Sequence, residues 1–178
     1  MNQIKIMIII LRLNHRIARD PRLSTHVALT ARAFLADKIY YSGQKDSNLE
    51  LSIKKVNEKF GSDFTIEYLQ DPIKFLNENK NKFTIVHLTV YGLNVQDKIN
   101  ELRKKKNLII IVGGEKVQPE YYKLADYNIA VTKQPISEVS ALAIFLHLLN
   151  QGKELSNEFK NAKVKFLENE HGKILKFS

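Results

Sequence analysis

The stretch Ile109–Asn150, IIIVGGEKVQPEYYKLADYNIAVTKQPISEVSALAIFLHLLN, decides how the chain folds. An apolar run, Leu108–Val112, ends on Gly113-Gly114, the only adjacent glycine pair in the sequence. Glycines at a strand end let a ligand approach backbone N–H and C=O groups with no Cβ in the way. A second strand is predicted over Tyr127–Val131, closing in the polar turn Thr132-Lys133-Gln134-Pro135. A helix from about Ser137 to Leu149 follows, polar inside only at Ser140 and His147, so it must be covered on more than one side. Two polar loops at neighbouring strand ends, backed by a buried helix, describe a ligand cleft.

Upstream, the same alternation repeats. Ile4–Leu13 is a continuous apolar run, as in a strand buried on both faces. Asp20-Pro21 starts a helix to about Leu35, with Leu23, Val27, Thr30, Ala31 and Phe34 toward the core. A short strand at Asp37–Tyr41 precedes a capping box, Ser47-Asn48-Leu49-Glu50. It opens a helix whose stripe is Leu49, Ile53, Val56 and Phe60, stopped by Gly61. Phe64, Ile66 and Tyr68 alternate as in a strand, Asp71-Pro72 opens a short helix, and Phe83–Leu88 is a further buried strand. Asn94 caps a helix carrying Val95, Ile99 and Leu102, and a short helix spans Pro119–Leu124. Strands alternating with helices, and apolar throughout, predict an α/β domain: a mostly parallel six-stranded sheet with helices on both faces. The domain is expected over 1–151. Residues 152–178 read as an appended C-terminal element with a β-hairpin turning at Asn169-Glu170-His171-Gly172.

Composition bounds the function. A chain of 178 residues, 44% apolar, suits one domain with a sizeable core. Cysteine is absent, which excludes disulfides and thiolate metal sites and fits a reducing cytosol. The Ile6–Leu11 run is too short to span a membrane, so a cytoplasmic protein is expected. A formal charge of +9 points to an anionic partner, although a lysine-rich surface alone also produces it. The first strand-to-helix turn, Asn14–Arg22, contains no glycine, which argues against a Rossmann dinucleotide fold, and GxxxxGK[ST] is missing. Five scattered histidines lack acidic partners at ligand spacing, so no metal is expected. His87 reads as a core histidine, and His147 as a rim residue.

Arg12, His15, Arg16, Arg19 and Arg22 fill that first turn, with His26 one helical turn later. They stand at the carboxyl end of the first strand, the edge where open α/β sheets bind ligands. Arginine's planar fork suits phosphate, so Arg12, His15, Arg16 and Arg19 are candidate RNA-backbone contacts; the bland reading is a solvated basic loop.

VGGEKV (Val112–Val117) and DYNIAVTKQPISEVSALAIFL (Asp126–Leu146) resemble the cofactor half of the SPOUT, or trefoil-knot, RNA methyltransferases, and within them the archaeal tRNA cytidine-56 2′-O-methyltransferase family. RLNHRIARDPRLSTHVALTARAF (Arg12–Phe34) and HLTVYG (His87–Gly92) extend the resemblance over most of the chain. The resemblance implies a C-terminal trefoil knot, a rare exception to unknotted topology. It also implies S-adenosylmethionine as cofactor, tRNA as partner, and a homodimer through the helix 137–149. Carried over residue by residue, the cofactor site comprises Leu88, Gly113, Gly114, Glu115, Lys116 and Val117. With them come Val131, Thr132, Lys133, Gln134, Pro135, Ile136, Ser137 and Glu138. The implied reaction is methyl transfer to a ribose 2′-hydroxyl, a poor nucleophile that needs proton removal or tight orientation. An arginine of the N-terminal motif serves in such enzymes; Arg22 is assigned that role here, with Arg19 and His26 assisting. Lys133 and Ile136 depart from the family's asparagine and histidine, and Leu35 stands where a glycine usually follows. For the dimer, Val139, Leu142, Ala143, Leu146 and Leu149 form one stripe and Ala141, Ile144, Phe145 and Leu148 a second, available to a two-fold partner. A SPOUT base methyltransferase and a non-catalytic RNA-binding α/β domain remain as alternative readings.

Overall fold

The computed structural model describes residues 7–19, 21–114 and 116–178; Asp20 and Glu115, both singled out above, and residues 4–6 of the first apolar run lie outside them. The chain alternates β1 (Met7–His15), α1 (Pro21–Ala33), β2 (Lys38–Gly43), α2 (Ser47–Phe60), β3 (Thr65–Tyr68) and α3 (Pro72–Asn79). It continues with β4 (Thr84–Asn94), α4 (Val95–Leu102), β5 (Asn107–Val112), α5 (Pro119–Leu124), β6 (Tyr127–Ala130) and α6 (Glu138–Asn150). A 3₁₀ turn (Lys153–Ser156) then leads to β7 (Val164–Leu167) and β8 (Ile174–Phe177). The first six strands form one sheet in the order β3-β2-β1-β5-β4-β6, every pairing parallel. β7 and β8 make a separate antiparallel hairpin.

Side chains alternate across each strand, which is why the central strands are apolar throughout. Ile8, Ile10, Val86, Leu108 and Ile110 pack on one face beneath α1, α2, α4 and α6. Ile9, Leu11, Ile85, Ile109 and Ile111 pack on the other against Leu76 of α3 and Tyr121 of α5. Helices therefore cover both faces, as expected. No helix of the described residues is long and apolar enough to cross a membrane.

The helix starts at Asp71 and Asn94 hold: Asp71 Oδ1 accepts from Lys74 N at 2.9 Å and Asn94 Oδ1 from Gln96 N at 2.8 Å. The predicted capping box does not. Asp46, not Ser47, caps α2, its Oδ1 accepting from the N–H groups of Asn48 and Leu49 at 2.9 and 3.2 Å. Glu50 is thereby released and accepts from the Tyr41 hydroxyl at 2.7 Å. Phe60 leaves the core stripe to stack on Phe166 of the hairpin, ring centroids 5.1 Å apart. The extension is fastened further by Arg32, whose guanidinium lies 4.5 Å from the Phe159 ring centroid and donates to the Gly61 carbonyl.

Leu35 occupies a position whose geometry favours glycine. It sits at φ 66°, with its N–H on Arg32 O and the next, Ala36 N, on Ala31 O. This is a Schellman closure of α1, where the left-handed residue is ordinarily glycine.

Candidate active site

The candidate site follows from where four parallel strands stop. In register, Arg12 of β1 lies beside Val112 of β5, Val112 beside Leu88 of β4, and Leu88 beside Ile129 of β6. Three loops leave this carboxyl edge: 89–92, 113–118 and 131–137.

β4 does not end at Leu88 as expected. It bulges, so that Leu88 and Leu93 both face Ile129, and then resumes to Asn94. The bulge is held hard against β6: a Cβ on Gly92 would come within 2.5 Å of the Asn128 carbonyl and Ile129 N. That contact requires glycine at 92 and leaves Tyr91 projecting, 84% exposed. Beneath it His87 is buried, its Nδ1 2.9 Å from Asn128 Oδ1 and its ring edge-on to Tyr122, the satisfied core histidine that its strand context predicts. Burial pushes the His87 imidazole below its ordinary value, the Asn128 hydrogen bond opposing in part.

The two glycines after β5 do different work. A Cβ on Gly113 would meet Val117 Cγ2 at 2.3 Å, so its bareness serves packing within the loop. Among the described residues a Cβ on Gly114 would meet only Glu138 Oε1, at 3.5 Å. Gly114 is thus the one that leaves backbone open toward the start of α6. Ser137 caps that helix, its Oγ accepting from Val139 N at 3.2 Å. Val131 and Thr132 are half-buried, whereas Lys133, Gln134, Pro135, Ile136 and Ser137 are exposed on the third loop.

β1 joins these loops. Arg12 is 2% exposed, with Nη1 3.9 Å from Glu138 Oε1. Asn14, left-handed at φ 58°, donates from Nδ2 to the Lys116 carbonyl at 3.4 Å. The structure therefore brings together Arg12, Lys116, Gly114 and Glu138, with Leu88 in the adjoining row.

The arginine loop divides. Arg16, Arg19, Arg22 and His26 are exposed. His15 is fully buried, Nδ1 2.8 Å from Ser24 Oγ and Nε2 3.2 Å from Asp46 Oδ2. His15 and Arg12 were read as RNA contacts; burial corrects both, because neither side chain reaches the surface. They instead fix the base of the loop, Arg12 against α6 and His15 against α1 and the α2 cap. Arg22 and His26 make no hydrogen bond or ion pair with the cofactor loops among the described residues. Sequence reading missed Asn14, Gly92, Ser24 and Asp46 as organisers. A charged residue inside an apolar strand was the available signal for Arg12, and none existed for the other four.

On α6, Leu142, Phe145, Leu146 and Leu149 are buried. Phe145 thus belongs to the core and not to the outer stripe, because it packs with the cluster above the sheet. Ile144 is the exposed apolar residue, at 45%. His147 is half-exposed, as its rim reading predicts, and pairs through Nδ1 with the buried Glu154 at 2.5 Å.

An open parallel sheet with its loops gathered in this way has close structural likenesses. The A. aeolicus TrmH/SpoU tRNA modifying enzyme superposes with a TM-score of 0.62 at 21% identity, over 83% of this chain and 76% of that one. The SpoU methyltransferase AviRb from Streptomyces viridochromogenes, solved with AdoMet, gives 0.61 at 13% identity over 88% and 60%. The fold is thus that of the SPOUT class. Within it, the model of the family tRNA ribose 2′-O-methyltransferase, aTrm56, matches residues 60–176. The tRNA (cytidine(56)-2′-O)-methyltransferase of Thermococcus kodakarensis is 49% identical over 171 residues, covering 94% of this chain and 95% of the relative. That of Methanocaldococcus jannaschii is 47% identical over 169 residues, covering 93% and 94%. The chain belongs to this family.

Proposed function

We propose that the chain is a tRNA ribose methyltransferase that modifies the 2′-hydroxyl of cytidine 56, in the T-loop, with S-adenosylmethionine as donor. The observation that carries this reading is near-full-length likeness to enzymes of that name at close to half identity. The loop geometry supports it. Gly114 leaves an opening toward Glu138 that a Cβ would narrow, a fit for a ligand held by backbone groups. Leu88, residues 113–117 and residues 131–138 would hold the cofactor, which supplies an electrophilic methyl group on a sulfonium.

The chain's own residues supply the rest. Buried Arg12 faces Glu138 across 3.9 Å and so couples the start of α6 electrostatically to β1. Exposed Arg16 and Arg19 attract the RNA backbone. Arg22 orients the 2′-hydroxyl and stabilises its developing negative charge, with Arg19 and His26 beside it. Among the described residues Arg22 and His26 make no hydrogen bond or ion pair with their own subunit's cofactor loops, which favours a site shared across a homodimer. Ile144, with Ala141 and Leu148 half-buried near it, forms the two-fold contact. Trefoil threading of the C-terminal part belongs to the same reading, and so does a cytoplasmic setting, where its tRNA substrate is found.

Transfer of tritiated methyl from S-adenosylmethionine into an unmodified tRNA transcript tests the proposal. Label confined to the ribose of cytidine 56 is expected. Label on a base, or RNA binding without transfer, would overturn it.

A further inference from the structure

The edge opposite the candidate active site carries a second concave surface. Lys80 and Lys82 follow the end of α3, and Lys105 and Lys106 follow the end of α4. Together with Asp126 and Tyr127 they line a groove of about 460 Å³, where β4, β5 and β6 begin. β5 separates this edge from the methyl-transfer edge by roughly 20 Å at about 3.3 Å per residue.

Four lysines face a single carboxylate there, and that carboxylate is engaged: Asp126 Oδ2 accepts from Ile85 N at 2.8 Å. Among the described residues Lys80, Lys82 and Lys106 form no ion pair. Lys105 lies 5.8 Å from the Tyr127 ring centroid, and the Tyr127 hydroxyl is anchored on Glu101. Helix dipoles account for part of this, since cations are favoured at helix carboxyl ends. Lys80 caps α3, and Lys105 closes α4 through its N–H on Leu102 O. Lys82 and Lys106 lie beyond both helices, where gathering like charges is self-repulsive unless a polyanion answers it.

We propose that this groove is a second tRNA site, binding phosphodiester backbone of the same tRNA at a distance from the methylated nucleotide. The inference rests on tRNA being the substrate, as argued above. Its chemistry is charge neutralisation with no base reading, so its contribution is sequence-independent and released by salt.

The test compares the full chain with Lys82→Ala/Lys106→Ala and Lys82→Glu/Lys106→Glu, measuring tRNA affinity across a salt series. The alanine pair is expected to weaken binding about tenfold and to lower the log–log salt slope by about one to two, the counterion release of two contacts. The glutamate pair is expected to weaken it further. Transfer rate at saturating tRNA, S-adenosylmethionine affinity and melting temperature are expected to stay at wild-type values. A folded glutamate variant with wild-type affinity and salt slope would overturn the groove. The two readings fail separately. Wild type that transfers no methyl, with variants that still lose RNA affinity, refutes the reaction and keeps the groove; active wild type with unaffected variants does the reverse.

Discussion

Gly113→Ala is expected to destabilise the fold where Gly114→Ala does not, although the two glycines are adjacent. At 113 the new methyl would sit 2.3 Å from Val117 Cγ2. Carbon atoms settle near 3.5–4.0 Å, so Val117 must retreat by roughly 1.2 Å or change rotamer. It is stiff at χ1, and it packs against the cluster that holds Tyr121 and Leu124. Overpacking of this kind costs about 1–3 kcal/mol. Taking about 2 kcal/mol, the melting temperature should fall by about 4–8 °C for a chain of this size. At 114 the methyl meets one carboxylate oxygen at 3.5 Å, an ordinary contact, and stability should change by less than about 0.5 kcal/mol. Val117→Ala removes the offending Cγ2. The double variant Gly113→Ala/Val117→Ala should therefore be no less stable than Val117→Ala alone, a coupling of at least about 1 kcal/mol. Thermal melts and urea midpoints on the four proteins decide it. Strictly additive effects, or a Gly113→Ala protein as stable as wild type, would refute the packing account. Gly114→Val should stay folded yet lose S-adenosylmethionine binding in calorimetric titration; unchanged affinity would move the cofactor elsewhere.

Ile144→Glu should give a folded monomer with lost transfer activity, whereas Phe145→Glu should fail to fold, since an unpaired carboxylate would replace a fully buried ring. Sedimentation of a wild type that is monomeric at micromolar concentration and still active would refute the dimer. His87 should make stability pH-dependent: its folded-state pKa lies below the ordinary 6.5, so its contribution is whole above about pH 6.5. That contribution is lost as pH falls from there toward the depressed value, by at most about 1.4 kcal/mol per unit. His87→Gln should flatten the urea midpoint over that window, and an unaltered slope would count against it. Gly61→Ala adds a Cβ at φ 72° and 2.4 Å from the Lys160 carbonyl, and should loosen the extension. Unchanged protease protection of residues 152–178 would show that it does not.

Much of the fold was legible because the parallel strands carry nearly unbroken apolar runs and the helices between them begin at marked caps. Asp71-Pro72 and Asn94 named their helices correctly, and Asn169–Gly172 lies between the two strands of the hairpin. Asp46 and Ser47 are adjacent residues of equal capping competence, and only the geometry selects between them. Burial of His15 depends on Ser24 of α1 and on Asp46, the cap of α2, so a basic run gave no hint of it. An almost wholly apolar α6 carries no phase, which is why Phe145 reads beside Ile144 on the outer stripe although it faces the core. At the site, the glycine pair and the start of α6 were readable, whereas the bulge at Gly92 depends on the backbone of a strand not yet placed.

The strand order has a consequence for synthesis. β4 pairs only with β5 and β6, both made after it, and β1 has β2 on one side but waits for β5 on the other. At about 5–20 residues per second, the central strand emerges roughly 5–20 s after β1. Throughout that interval the nascent chain displays Ile8–Leu11 as an open edge, joined late in it by β4 as a strand with no partner, both templates for mispairing. Any fragment ending before Val112 is expected to aggregate, and the sheet can close only once its last third has left the ribosome.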